Sequence, residues 1–265
     1  MIISFISLQL DKILFGLKKG FIYMLKILFS PAEGKKSGGS ENPKELLGSN
    51  DARKNILNEY NKIIKTADEE KIKALFGFKK FEDCKPYICD IFNTEYMCAI
   101  QRYNGVAYDY LDYNSLHVDT QEYIKQNTII FSNLYGPILG GDTIANYKVK
   151  QGNDIGSFVP DKFYKDRFSY QLDLYLGNSD ILDLRAGYYD KFYKVTKPYT
   201  TLKFLKDGKT VSHWAKAYRG LVLKAVANAG INTIEEFMAL EIQNLQVKEI
   251  KVIKNKTEIV YNIQN

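Results

Sequence analysis

Only two histidines, His117 and His213, and three cysteines, Cys84, Cys89 and Cys98, stand among the 265 residues. The cysteines are odd in number, with four and then eight residues between them, which fits neither a disulfide framework nor a paired CxxC zinc site. They read as reduced, buried thiols, and no metal ligand set is assigned. A metal or redox role is the weaker reading, because so few scattered soft ligands make a poor site. The sequence also lacks a Walker loop, a GxGxxG fingerprint, an HExxH pair and a nucleophile elbow. No cofactor is therefore assigned, and no catalytic residue follows from a motif.

A membrane-length apolar run is missing as well. The first 23 residues are apolar but carry Asp11, Lys12, Lys18 and Lys19, so no stretch reaches the ~18 to 20 uncharged residues that a span needs. The lysines come too late for a secretory signal, and Gly20 to Tyr23 is no small-residue cleavage site. A short amphipathic anchor is one reading of this leader. The favoured one is upstream sequence from an over-extended start, with the folded unit occupying residues 24–265. A cytoplasmic location is expected.

What is present is an ordinary globular composition. Hydrophobic residues make up 45% of the chain and charged residues 26%, enough to bury a substantial core without long disordered tracts. A short apolar run from Met24 to Phe29 reads as a first strand, followed by a Gly-, Ser- and Lys-rich loop from Ser30 to Ser40. From Asp51 to Phe76 the periodicity is helical, interrupted at Thr66 to Asp68, the outline of a helix-hairpin-helix. Short strands are expected at 87–92, 128–134, 144–149 and 181–186. A hairpin is expected with its turn at Lys206-Asp207-Gly208. A helix capped by Ser212 then runs to about Asn228 and stops at Gly230. A short helix, 233–240, and a last hairpin turned at Asn255-Lys256 complete the chain. Strands and helices mix without a βαβ rhythm, so the expected fold is α+β: a single compact domain with a mixed β-sheet ringed by helices.

Charge is unevenly spread. Between Lys191 and Lys224 stand nine basic residues and one acid, Asp207, a local balance of +8 where the whole chain carries +6. A second block, Arg53 to Lys80, holds eight basic and four acidic residues. Such clustering suits a polyanion, and the interleaved Phe192, Tyr193, Tyr199 and Tyr218 are of the type that stacks on bases. The alternative is a solvated face in a Lys- and Asn-rich chain. Glu33-Gly34-Lys35 offers a carboxylate and an ammonium beside a flexible glycine. The helix beginning near Ser212 presents Lys216 and Arg219 close to its amino end, where free amides and the helix dipole favour anions. Gly220 beside them would let another backbone approach.

The run Leu28-Phe29-Ser30-Pro31-Ala32-Glu33-Gly34-Lys35-Lys36 resembles the opening of the bacterial YaaA family. Further matches follow in order at Asn104 to Tyr108, Ser132 to Gly136, Tyr147 to Gly152, Asp183 to Tyr189 and Val211 to Gly220. Two departures stand out: Lys148 where the family usually has arginine, and Tyr218 where a small residue is common. The resemblance implies a compact α+β domain with a positively charged cleft. It also implies a part in surviving hydrogen peroxide, through limiting free intracellular iron and iron-dependent DNA damage, and DNA binding with a helix-hairpin-helix element, here 52–76. The candidate nucleic-acid or phosphate contacts are Ser30, Lys35, Tyr135, Tyr147, Lys148, Lys150, Lys216 and Arg219, with Arg53, Lys62, Lys65 and Lys71 on the helical pair. The expected partner is duplex DNA, with a nucleotide or phosphate as a further ligand. The alternative is an enzyme acting on a nucleotide or nucleic acid with Glu33 as acid/base.

Overall fold

The computed structural model describes residues 24–48 and 50–264. The leader expected at 1–23 lies outside the described residues. The centre of the fold is β1 (Lys26–Phe29), every residue of which is buried. On one side β1 pairs in parallel with β5 (Thr128–Ser132), and on the other with β8 (Ile181–Asp183). These strands are buried along their whole length and apolar at their centres, because a parallel strand covered on both faces has no solvent side, and their polar residues fall at strand ends. Beyond β8 the sheet continues in parallel through β9 (Tyr199–Lys206) and β12 (Lys256–Ile263). Its borders are antiparallel: β6 (Gly136–Leu139) against β5, and β11 (Leu245–Ile253) against β12. The order is β11-β12-β9-β8-β1-β5-β6, with the short β10 (Lys209–Thr210) on β9. Two small ribbons flank it, β2 (Gly34–Lys35) with β4 (Tyr103–Asn104) and β3 (Tyr96–Cys98) with β7 (Thr143–Ala145). The result is one domain with a mixed sheet and surrounding helices, as the sequence suggested.

The helical region forms α1 (Asn50–Thr66) and α2 (Glu69–Phe76). Asp68 caps α2 by accepting the Lys71 amide at 2.9 Å, and Gly77 closes it in the left-handed conformation at φ 76°. Shorter helices follow: α3 (Ala99–Arg102), α4 (Val106–Leu111), α5 (Val118–Asn127) and α6 (Pro160–Leu176). The last two are α7 (Ser212–Asn228) and α8 (Ile234–Ala239).

Three local expectations are corrected. No strand forms at 87–92: a 3-10 turn covers Phe81–Tyr87 with Pro86 inside it. Asp90 then accepts the Phe92 amide, a turn-forming bond that competes with a ladder. The expected strand at 144–149 ends at Ala145, because the Lys148 amide bonds to the buried Tyr60 hydroxyl at 3.2 Å instead of to a neighbouring strand. Ser212 does not cap α7. The Val211 carbonyl accepts the helix bond from Ala215, so Val211 holds the cap position and Ser212 begins the first turn. The hairpin turn does form as read, with Asp207 and Gly208 both at positive φ, 50° and 75°.

Candidate functional site

The strand order reverses at β1: the chain crosses from β1 to β5 on one side and later adds β8 on the other. In open sheets the crevice at the carboxyl ends of such strands is where ligands bind. Here that crevice holds a cleft of about 440 Å³. The segment leaving β1 forms its floor. The Ser30 hydroxyl accepts the Ala186 amide at 2.8 Å and so ties the end of β1 to the chain beyond β8. The Ser30 carbonyl accepts from the Tyr108 hydroxyl at 2.9 Å, fixing α4 to the same loop. At Gly34 a Cβ would lie 2.6 Å from the Asn104 carbonyl oxygen, so the β2–β4 contact needs glycine there.

One ion pair crosses this floor. The Lys148 ammonium donates to the Glu33 carboxylate at 3.1 Å and to the Glu33 carbonyl at 3.3 Å. The Gln151 amide donates to the other carboxylate oxygen at 3.3 Å. Burial alone would raise the Glu33 pKa, but these two hydrogen bonds and the charges of Lys148 and Lys35 outweigh it and hold the carboxyl below its usual range. Lys35 lies deeper. Its ammonium donates to the Ala32 and Glu33 carbonyls, both at 3.2 Å, and stands 4.1 Å from the Tyr147 ring centroid. Burial, then the charge of Lys148, pushes the Lys35 pKa well down. Tyr147 is buried and shares hydroxyl hydrogen bonds with Tyr103 at 2.9 Å and Ser132 at 2.7 Å. Ser132 in turn accepts the Tyr135 amide at 2.9 Å. Tyr147, Ser132 and Tyr135 thus brace the floor from beneath.

The opposite wall is α7. A Cβ on Gly220 would lie 2.0 Å from the Ala107 carbonyl oxygen, so only glycine lets α7 approach α4 this closely. That approach brings Lys216 and Arg219 to line the cleft. Arg219 is half-buried, and burial lowers its pKa, with Asp183 acting in the opposite sense. Among the described residues, neither Lys216 nor Arg219 has a hydrogen-bond or ion-pair partner of its own. A guanidinium and an ammonium with no carboxylate in hydrogen-bond contact, lining a concave site, can receive an anion.

Other candidates stand apart from the cleft. Arg53 is 1% exposed, and its guanidinium is spent on the Tyr135, Leu47 and Pro137 carbonyls at 2.8, 2.6 and 3.0 Å. It is a packing element that no strand of DNA reaches. Lys62, Lys65 and Lys71 pair with Glu59, Asp90 and Asp68 at 3.4, 2.6 and 3.4 Å. The α1–α2 pair therefore offers largely compensated charge, and the connection at Ala67-Asp68 lacks a glycine hairpin. Lys150 is exposed and packs its stem where a Cβ on Gly77 would fall. In the basic block from Lys191 to Lys224, Lys197 caps the carbonyl end of α6 through Leu176 and Gly177, and Lys224 pairs with Asp112 at 3.4 Å. Those two are engaged elsewhere, and of the nine cations Lys216 and Arg219 are the ones that line the cleft. Sequence reasoning had not singled out Tyr108, Gln151, Ala186 or Tyr189 as site residues, although each falls inside one of the matched motifs.

Those motifs converge on one place. A profile of the family described as peroxide stress protein YaaA matches residues 25–251. The chain belongs to the YaaA family. A protein of Campylobacter jejuni, described as uncharacterized, is 43% identical over 247 residues, covering 90% of this chain and 99% of that one. A UPF0246 protein of Streptomyces coelicolor is 28% identical over 221 residues, 77% of this chain and 83% of its own. One from Fusobacterium nucleatum is 23% identical over 248 residues, 87% and 97% of the two chains. Membership in a family named for peroxide stress supports a peroxide-stress role. Among the described residues no helix is long and apolar enough to cross a membrane.

Proposed function

We propose that this YaaA-family protein acts in the peroxide-stress response by binding the phosphates of duplex DNA at the β1–β8 cleft. The observation that carries this reading is the unpaired couple Lys216 and Arg219 facing a cavity of about 440 Å³. A phosphate seated there meets a point charge and a planar fork of donors. The Glu33–Lys148 pair, its lysine buried and its carboxylate at the surface, keeps the loop beneath it in place. Binding would also act on iron. A cationic protein releases the counterions condensed on the phosphates it contacts, so ferrous iron held on DNA leaves the place where its reaction with peroxide does harm. The same anion chemistry accommodates a nucleotide or free phosphate.

The enzymatic reading has less support. Glu33 is held ionised by Lys148 and the Gln151 amide, which leaves it no proton to donate as an acid near neutral pH and only the role of a base whose lone pairs are already engaged. Fluorescence anisotropy of a labelled duplex across a salt series tests the proposal. Affinity falls steeply and log-linearly with salt if phosphates are the contacts. Binding that ignores salt, or no binding at low salt, removes it.

A further inference from the structure

Strand β11 is an open border. It pairs with β12 on one side, and among the described residues no strand lies on the other. It is nine residues long, and all but Leu245 are exposed. Its two faces differ in kind. Residues directly opposite one another in an antiparallel pair share a face. Val247, Ile250 and Val252 sit opposite Tyr261, Ile259 and Thr257, so all three lie on one side of the sheet. Val247 and Ile250 are three positions apart and would alternate in a regular strand. The irregularity between Val247 and Glu249 inserts the extra residue, Lys248, that returns them to the same face. The stripe is well exposed, with Val247 at 47%, Ile250 at 45% and Val252 at 72%. The other face is charged: Glu249 and Lys251 lie 3.0 Å apart in a salt bridge.

Soluble proteins blunt a long, flat, apolar border or cover it. We propose that a second copy of this chain covers β11, the two strands pairing antiparallel across a two-fold axis at Ile250. Charge selects both the partner and the register. With Ile250 on the axis, Glu249 of each copy stands opposite Lys251 of the other, twice, the two Ile250 side chains meet on the apolar face, and each Val252 stands opposite the extra residue Lys248, next to Val247. A shift of one residue sets the apolar face of one strand against the charged face of the other. A shift of two in one direction puts Lys251 opposite Lys251, and in the other direction Glu249 opposite Glu249. Only the Ile250 register satisfies pattern and charge together. It joins two eight-stranded sheets into one continuous sheet. The contact is isologous, so it closes as a dimer and does not propagate.

The test is sedimentation equilibrium of the full chain over a concentration series. A single-strand border lies at the small end of interfaces, below about 1,200 Å² in total, so a dimer of micromolar strength is expected. Glu249→Lys and Lys251→Glu each set like charges opposite one another, and each alone should weaken the dimer by roughly tenfold or more. An equimolar mixture of the two variants restores opposite pairs at both positions and should dimerise as the parent does. That rescue separates pairing from misfolding. Ile250→Lys places two ammonium groups on the axis and should abolish association. Hydrogen exchange of the β11 amides should slow as protein concentration rises. A monomer at every concentration, a dimer indifferent to both charge reversals, or β11 protection independent of concentration would overturn the proposal. In the last case another part of the same chain covers the border.

Discussion

The wall of the cleft depends on one missing methyl group. At Gly220 an added Cβ would sit 2.0 Å from the Ala107 carbonyl oxygen, 2.9 Å from its carbonyl carbon and 3.1 Å from the Leu111 amide nitrogen. All three are backbone atoms of or beside α4, which cannot rotate away as a side chain could. Gly220→Ala therefore sets two effects against each other. Replacing a helical glycine by alanine gains about 1 kcal/mol in helix propensity. Overpacking a close contact costs typically 1–3 kcal/mol, and a contact this short belongs at the upper end. The net expectation is a loss of about 2 kcal/mol, read as a fall in Tm of roughly 4–8 °C for a domain of this size. Relief requires α7 to move by on the order of 1 Å, which carries Arg219 and Lys216 with it and weakens anion binding. Gly187→Ala is the control, since nothing lies within 4 Å of its added Cβ and it should melt like the parent. Differential scanning calorimetry and DNA anisotropy on both variants give the answer. A rise in Tm for Gly220→Ala, as expected of a helical glycine facing solvent, would refute the close approach on which the cleft wall rests.

Lys35 is held below its ordinary pKa of 10.5 by burial and by Lys148. The folded state thus binds fewer protons than the unfolded chain between the two pKa values, and stability rises with pH through that window. Chemical denaturation from neutral to alkaline pH should show this rise in the parent and lose it in Lys35→Met. Glu33 behaves in the opposite sense, its lowered pKa giving stability that is present above the unfolded value and lost as pH falls through the folded one. Lys148→Met should move the Glu33 carboxyl titration upward in NMR, and an unchanged midpoint would count against the ion pair. Arg53→Met strands three buried carbonyls and should cost about 3 kcal/mol or more by denaturant melts. Its DNA affinity at permissive temperature should match the parent's.

Much of the site was legible because its pieces are local. The Ser30 to Gly34 segment, the Lys216, Arg219 and Gly220 triplet, and the Asp207-Gly208 turn each carry their chemistry within a few residues. The parallel centre of the sheet was not legible. The crossovers among β1, β5 and β8 pass through several short helices and irregular stretches, so no βαβ rhythm is written in the sequence. Contacts between distant residues were equally hidden. Glu33 meets Lys148 across 115 positions, and Lys65 meets Asp90 across 25, so a lysine read as free charge proves to be paired. Arg53 shows the same limit: nothing in its neighbourhood separates an arginine facing solvent from one buried against carbonyls.

The central claim is that Lys216 and Arg219 together form the anion receptor. The most direct measurement compares the salt dependence of duplex binding for the parent, for Lys216→Ala with Arg219→Ala, and for a scattered pair, Lys79→Ala with Lys256→Ala. If the cleft holds phosphates, the first double variant loses affinity strongly and its log–log salt slope shrinks by roughly 2, about one per phosphate contact removed. The scattered pair should keep the parent slope, since Lys256 is already paired with Glu258 at 3.2 Å. Equal losses in the two double variants would mean that any exposed lysine serves as well, and the cleft would no longer be the binding site.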